Sequence, residues 1–249
     1  MENQPKIVAI IQARQGSTRL PGKSMKEVLL KPLLGYLLDR ITHAKTINEV
    51  VVATTSLEND NVIASYCQKN SISCFRGDAE DVLGRYLAAA KIFSADIIVR
   101  ITGDCPLIDP KIIDRVVTHY HNLTNSQEID YTSNTLIRTY PRGMDVEVFS
   151  FKALELAAES AVKGSDREHV TSFIYSHPGL FKLANVVNEN NDSRFRWTVD
   201  TDEDFQLVKK IIEAVYPNNN LFTYDDLLRT MNENPDWFQI NSLVEQKKE

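Results

Sequence analysis

Apolar and polar positions alternate along this chain in blocks that predict its elements. Residues 7–11 are five apolar residues between polar neighbours, a length and β-branched content that predict a buried strand. Leu33, Leu34, Leu37, Leu38 and Ile41 recur at helical spacing, predicting an amphipathic helix over 32–44 with Pro32 in its first turn. Residues 49–55 predict a second buried strand, and Val62, Ile63, Tyr66 and Cys67 a second helix. Asp78 is expected to cap a third helix, whose core face is Val82, Leu83, Tyr86, Leu87 and Ala90. A strand over 96–104 follows, and Asp109-Pro110 opens a helix bearing Ile112, Ile113, Val116 and Val117. Strand and helix alternate to this point, as in a parallel sheet covered on both faces.

The rhythm then changes. Residues 130–135 and 144–150 predict strands with no helix between them. Ser165 and Glu168 predict a capping box for a helix ending at His177-Pro178-Gly179. Further strands are expected over 183–187 and 195–199, then a helix capped by Thr201 and Asp204, a last short helix after Thr223, and a frayed tail over 246–249. The predicted fold is α/β: a doubly wound, mostly parallel sheet with a mixed, partly antiparallel extension over about 129–190. No Pro/Gly-rich linker divides the two, so residues 1–249 are read as one domain.

Composition narrows the classes. The 249 residues are 43% hydrophobic and 25% charged, ordinary for a soluble globular protein. No apolar run approaches the roughly 20 residues that span a bilayer, and the polar start lacks a signal-peptide pattern. A cytoplasmic protein with no membrane partner is expected. A net charge of −6 argues against nucleic acid as a partner. Cys67, Cys74 and Cys105 are too few and too scattered for a disulfide framework or a zinc site.

Cations are concentrated in one place. Directly after the first strand the chain presents Arg14, Gly16, Arg19, Gly22 and Lys23, and a flexible cationic loop there suits a polyphosphate. It is not a Walker A loop, because five residues and not four separate Gly16 from Gly22, and Pro21 removes a backbone donor. Ligands of open α/β sheets bind beyond the carboxyl ends of the strands. That rule selects Arg14, Thr54 and Thr55, Asp104, and Asp200. Asp104 and Asp200 can share Mg²⁺, which takes a few protein oxygens plus substrate phosphates; the alternative for each is a helix cap.

The stretch IVAIIQARQGSTRLPGKS resembles the signature of sugar nucleotidyltransferases related to the CMP-sugar synthetases, most closely the SpsF-type branch, with further motifs in order to about Leu207. The resemblance implies a nucleotide-diphospho-sugar transferase (GT-A-like) fold and transfer of a nucleotidyl group to a sugar acid or a sugar or polyol phosphate. CTP is the implied donor, with pyrophosphate released. Arg14, Arg19 and Lys23 would neutralise the triphosphate, Ala13 and Gly16 would lie near base and ribose, and Asp104 and Asp200 would hold Mg²⁺. Thr102 and Gly103 complete the nucleotide set, although relatives commonly carry Gln where Thr102 stands. The resemblance also implies a homodimer through the middle strands.

Three further places are open to two readings. Asp145 and Glu147 share a strand face, which is either a solvated acidic face or, with Arg142, an acceptor pocket. Arg167 and His169 are either acceptor ligands or structural, and Arg76 is either a substrate contact or an exposed turn cation. The rival enzyme is a glycosyltransferase consuming a nucleotide-sugar. Such enzymes usually carry Asp-x-Asp, where this chain has the single Asp104. A non-catalytic nucleotide-binding regulator is the second rival.

Overall fold

The computed structural model describes residues 4–124 and 126–246. Strands β1 (Ile7–Gln12), β4 (Glu49–Thr55), β5 (Ser73–Gly77) and β6 (Ile97–Thr102) run parallel in the spatial order β5-β4-β1-β6. Beyond β6 lie β8 (Glu147–Ser150), β7 (Tyr131–Ser133) and β9 (Leu183–Asn185); β8 is antiparallel to both its neighbours, and β9 is parallel to β7. A separate hairpin pairs β2 (Glu27–Val28) with β3 (Lys31–Pro32). The expected doubly wound sheet with a mixed extension is therefore the observed one.

Side-chain alternation builds a core on each face. Ala9 and Ile11 of β1 pack with helices α1 (Leu33–Ile41) and α4 (Pro110–Thr124). Val8 and Ile10 face the other way, toward α3 (Val82–Ile92) and α5 (Phe151–Ser160). Helix α2 (Asn61–Lys69) lies between β4 and β5, and α8 (Asp202–Val215) adds Leu207, Val208, Ile211 and Ile212 to the first core. Each fully buried side chain of this kind stabilises by about 1.5–3 kcal/mol, so these apolar stripes hold the layers together. Among the described residues no helix is long and apolar enough to cross a membrane.

Five local expectations change. Asp81, not Asp78, caps α3 by accepting from Gly84 N at 2.9 Å; Asp78 turns back to accept from the Glu80 and Asp81 amides. The helix expected up to His177 is two short helices, α6 (Gly164–His169) and α7 (Ser172–Ser176), broken at Val170, whose φ is 62°. Ser165 makes no cap there, because the helix already starts at Gly164, after Lys163. Residues 195–199 form no ladder strand; the segment has one bridge, Arg142 to Arg196, and at its end Val199 N donates to Asp104 O. Gln246, expected in a frayed tail, lies against the cleft described below; the other tail residues, 247–249, fall outside the described residues. The expected cap of Thr201 and Asp204 is present as a capping box, and the helix expected after Thr223, α9 (Tyr224–Glu233), opens with another.

Candidate active site

Because β4 and β5 lie to one side of β1 and β6 to the other, the chain order reverses between β1 and β6, and a crevice opens beyond their carboxyl ends. Two segments descend into it together. Gly103 N donates to Gln12 O at 2.9 Å, and a Cβ on Gly103 would lie 2.6 Å from that same oxygen, so only glycine allows the approach. The resulting cleft, about 710 Å³, falls within the usual size of a small-molecule site.

The loop after β1 is tied down by a group the sequence reading missed. Asp60, buried, accepts from Gln15 N at 2.7 Å and also from the Thr55 amide and hydroxyl. Gln15 O in turn accepts from the Ser17 and Gly22 amides, which closes the loop and delivers Lys23 to the cleft floor. No sequence period marks Asp60, because its role depends on β4 ending beside β1.

At the floor two carboxylates converge on one cation. Lys23 Nζ donates to Asp104 Oδ2 and to Asp200 Oδ1, each at 2.8 Å. Their remaining oxygens are held from outside. Thr102 Oγ1 donates to Asp104 Oδ1 at 2.5 Å, while Asp200 Oδ2 receives Arg196 Nη2 at 2.8 Å and lies 3.1 Å from Arg19 Nη2. Backbone bonding joins the two acids, since Val199 N donates to Asp104 O at 2.9 Å. Burial by itself would lower the Lys23 pKa and raise that of Asp104. The ion pair outweighs burial in both, leaving the ammonium's pKa raised and the Asp104 carboxyl's lowered.

Around this point Ala13, Arg14, Arg19 and Lys23 line the cleft, with Thr102, Gly103, Asp104 and Asp200. Thr102 is there, but its hydroxyl is spent on Asp104. Gly16 lies outside the lining, and a Cβ on it would meet nothing within 4 Å, so close approach does not require glycine there. Thr54 is wholly buried below the sheet end and does not line the cleft.

The acceptor candidates divide. Arg142, Asp145, Glu147 and His169 all face the cleft, together with Glu168 and Thr171. Gly143, with φ 101° and a Cβ position 2.6 Å from the Trp197 carbonyl carbon, lets the chain carrying Arg142 run against residues 196–198. Asp145 is gripped by both Nη atoms of Arg138, at 2.6 and 2.9 Å. Glu147 belongs to no solvated face. It is buried, ion-paired to Arg100, and accepts from Tyr131 Oη at 2.6 Å and Thr171 Oγ1 at 2.7 Å. Burial alone would lower the Arg100 pKa, but Glu147 outweighs it and leaves it raised. The break at Val170 is a γ-turn closed by Thr171 N to His169 O at 2.6 Å, and this strained turn presents both residues to the cleft.

Two candidates lie outside the cleft and tie other elements together. Arg167 forks onto Asp81, with Nε 2.9 Å from Oδ1 and Nη2 2.5 Å from Oδ2, and also bonds the Ala158 and Ala161 carbonyls. Arg76 ties together the Thr55 and Leu57 carbonyls and Asn61 Oδ1. Neither lines the cleft. Conversely Arg100, Arg138 and Gln12 do so and were not foreseen. Arg100 and Gln12 sit inside strands whose apolar pattern drew attention to their neighbours.

Among the described residues no three His, Cys, Asp or Glu side chains group to hold a metal by themselves. The two carboxylates around Lys23 do fit a hard cation that takes its other ligands from phosphates and water. Residues 8–243 match the sequence profile of the cytidylyltransferase family. The chain is 31% identical over 92% of its length, and 95% of the relative's, to the spore coat polysaccharide biosynthesis protein SpsF of Bacillus subtilis. Over a 112-residue stretch, 45% of this chain and 43% of the relative, it is 35% identical to 3-deoxy-manno-octulosonate cytidylyltransferase of Geobacter metallireducens. A solved cytidylyltransferase from Leptospira borgpetersenii superposes with a TM-score of 0.89 at 38% identity, covering 99% of this chain and 100% of that one.

Proposed function

The chain belongs to the cytidylyltransferase family, and on that premise we propose that it transfers CMP from CTP to a sugar acid or a sugar or polyol phosphate, with Mg²⁺, in the cytoplasmic synthesis of a glycan precursor. The observation that carries the reading is the convergence of Asp104 Oδ2 and Asp200 Oδ1 on one cation position under a loop bearing Arg14, Arg19 and Lys23. A triphosphate needs that pattern: cations along its length and a carboxylate pair for its metal.

Asp104 and Asp200 would hold Mg²⁺ through these oxygens. When bound, the ion supplies charge neutralisation at the phosphates and lowers the pKa of an oxygen beside it. The chain's own residues do the rest by positioning. Arg14 and Arg19 present planar forks to phosphate oxygens, and Lys23 leaves the carboxylates to serve as a point charge on the triphosphate. An acceptor oxygen, oriented by Arg138, Arg142, Asp145 and His169, attacks the α-phosphorus in line, a phosphate as its anion and a sugar-acid hydroxyl with loss of its proton to solvent. The new O–P bond forms as the bond to the bridging oxygen breaks, and pyrophosphate departs with that electron pair. Arginines in the acceptor half suit an anionic acceptor. The names of two relatives, a polysaccharide biosynthesis protein and a 3-deoxy-manno-octulosonate cytidylyltransferase, point the same way.

The test is pyrophosphate release with each nucleoside triphosphate, with and without Mg²⁺, across sugar acids and sugar and polyol phosphates. Release with CTP, dependent on Mg²⁺ and reduced at least about 100-fold in Asp104→Asn, is the expected result. Turnover of nucleotide-sugars without triphosphate use would replace the reading with a glycosyltransferase.

A further inference from the structure

Asp200 follows a segment that pairs with no strand, yet its carboxylate is aimed as firmly as that of Asp104. The cause is Arg196, 8% exposed. Its Nε donates to Asp204 Oδ1 at 2.9 Å, and its Nη2 to both Asp204 Oδ2 at 3.0 Å and Asp200 Oδ2 at 2.8 Å. Nη1 donates to Gln246 Oε1 at 2.6 Å. Asp204 is wholly buried and fully used. It also accepts from Asn241 Nδ2 at 2.8 Å, from Asp200 N at 3.0 Å and from Thr201 N at 3.2 Å. Asn241 Nδ2 donates as well to Arg196 O at 2.9 Å. One buried acid thus holds the backbone of Asp200, and one guanidinium holds its side chain. Asn241 and Gln246, from the C-terminal segment, lock both in place.

We propose that Arg196 is a positioning residue for the cation site: it occupies Asp200 Oδ2 from behind, so that Asp200 Oδ1 alone faces Asp104, and the C-terminal segment is part of this device. The inference rests on the reading of Asp104 and Asp200 as the carboxylates that hold the metal. A guanidinium has the planar fork to serve both acids at once, whereas a lysine would serve one. Without it, Asp200 Oδ2 would keep only Arg19, a more exposed partner at 3.1 Å, beside the negative charge of Asp204. Outer partners of this kind typically change metal affinity 10–100-fold.

The experiment titrates Mn²⁺ by electron paramagnetic resonance into the full chain carrying a non-hydrolysable CTP analogue, and measures the Mg²⁺ dependence of pyrophosphate release. Arg196→Lys is expected to weaken Mn²⁺ binding about 10–100-fold and to raise the half-saturating Mg²⁺ in parallel, with the acceptor KM within about twofold of wild type. Asn241→Ala should move both in the same direction by less. Leu227→Ala, a core substitution outside the cleft, lowers the unfolding midpoint and should leave Mn²⁺ binding unchanged. Wild-type Mn²⁺ affinity in folded Arg196→Lys, alongside weakened binding in Asp200→Asn, overturns the inference and leaves the proposed function standing. Should Arg196→Lys not fold, Asn241→Ala with wild-type affinity overturns it. Equal Mn²⁺ binding by wild type and Asp200→Asn overturns the metal reading and this inference together.

Discussion

Lys23 shows how one side chain can hold a site ready. Its ammonium lies 2.8 Å from both Asp104 and Asp200, where a divalent cation would otherwise have two carboxylate oxygens. Removing it leaves two acids facing each other, and their repulsion is relieved by whatever cation is at hand. Lys23→Ala is therefore expected to bind Mn²⁺ at least about 10-fold more tightly than wild type in the absence of nucleotide, while pyrophosphate release falls at least about 100-fold. Unchanged Mn²⁺ affinity in a calorimetric titration would show that the ammonium does not compete for that position. At this scale the cationic loop was legible, because charge and glycine are written in residue type. The partners of Thr102 and Glu147 were not, since a hydroxyl or carboxylate says nothing of the direction in which it will point.

Between elements, arginines act as ties. Arg167 of α6 grips Asp81, the acid that caps α3, across 86 residues of sequence. Arg167→Ala is expected to cost about 1–3 kcal/mol in urea unfolding and to leave both substrates' KM values unchanged. A raised acceptor KM with unchanged stability would return Arg167 to the binding residues. At the far end of the chain, Asp226 completes the capping box of α9 and accepts from Thr223 N at 2.8 Å. That backbone bond lowers its pKa below the ordinary 3.8. A carboxyl depressed by folding contributes stability above its unfolded value and loses it as pH falls through the folded one. Asp226→Asn should thus be less stable than wild type by about 1 kcal/mol at pH 7, with the gap closing below about pH 4. Parallel stability curves from pH 7 to pH 2.5 would contradict the cap's ionic character.

For the molecule as a whole, the mixed extension leaves β9 as an edge strand, and near it Ile137 and Val187 are 65% and 48% exposed. Asn185 of β9 bonds the Ile137 N–H and carbonyl through its side chain, at 3.1 and 3.2 Å, which ties Ile137 to the strand. An uncovered strand edge with apolar neighbours invites a second copy. We expect a homodimer through these middle strands, seen as twice the chain mass in light scattering at micromolar protein. A monomeric mass would remove that expectation, and Ile137→Glu should shift a dimer toward monomer.

What the sequence determined by itself was whatever rests on local period and residue type. The alternation of buried strands and amphipathic helices, the cap of Thr201 and Asp204, the helix after Thr223, the cationic loop, and Asp104 and Asp200 as separate carboxylates all follow from neighbours a few positions apart. Tertiary structure decided what depends on distant segments meeting. It set Lys23 between two acids that lie 81 and 177 residues away, placed Asp60 under the loop, gave Arg167 to Asp81, and sent Arg196 to Asp200 with Asn241 and Gln246 behind it. A side chain's hydrogen-bond partner is chosen by the sheet order that brings strand ends together, and that order is a property of the packed chain.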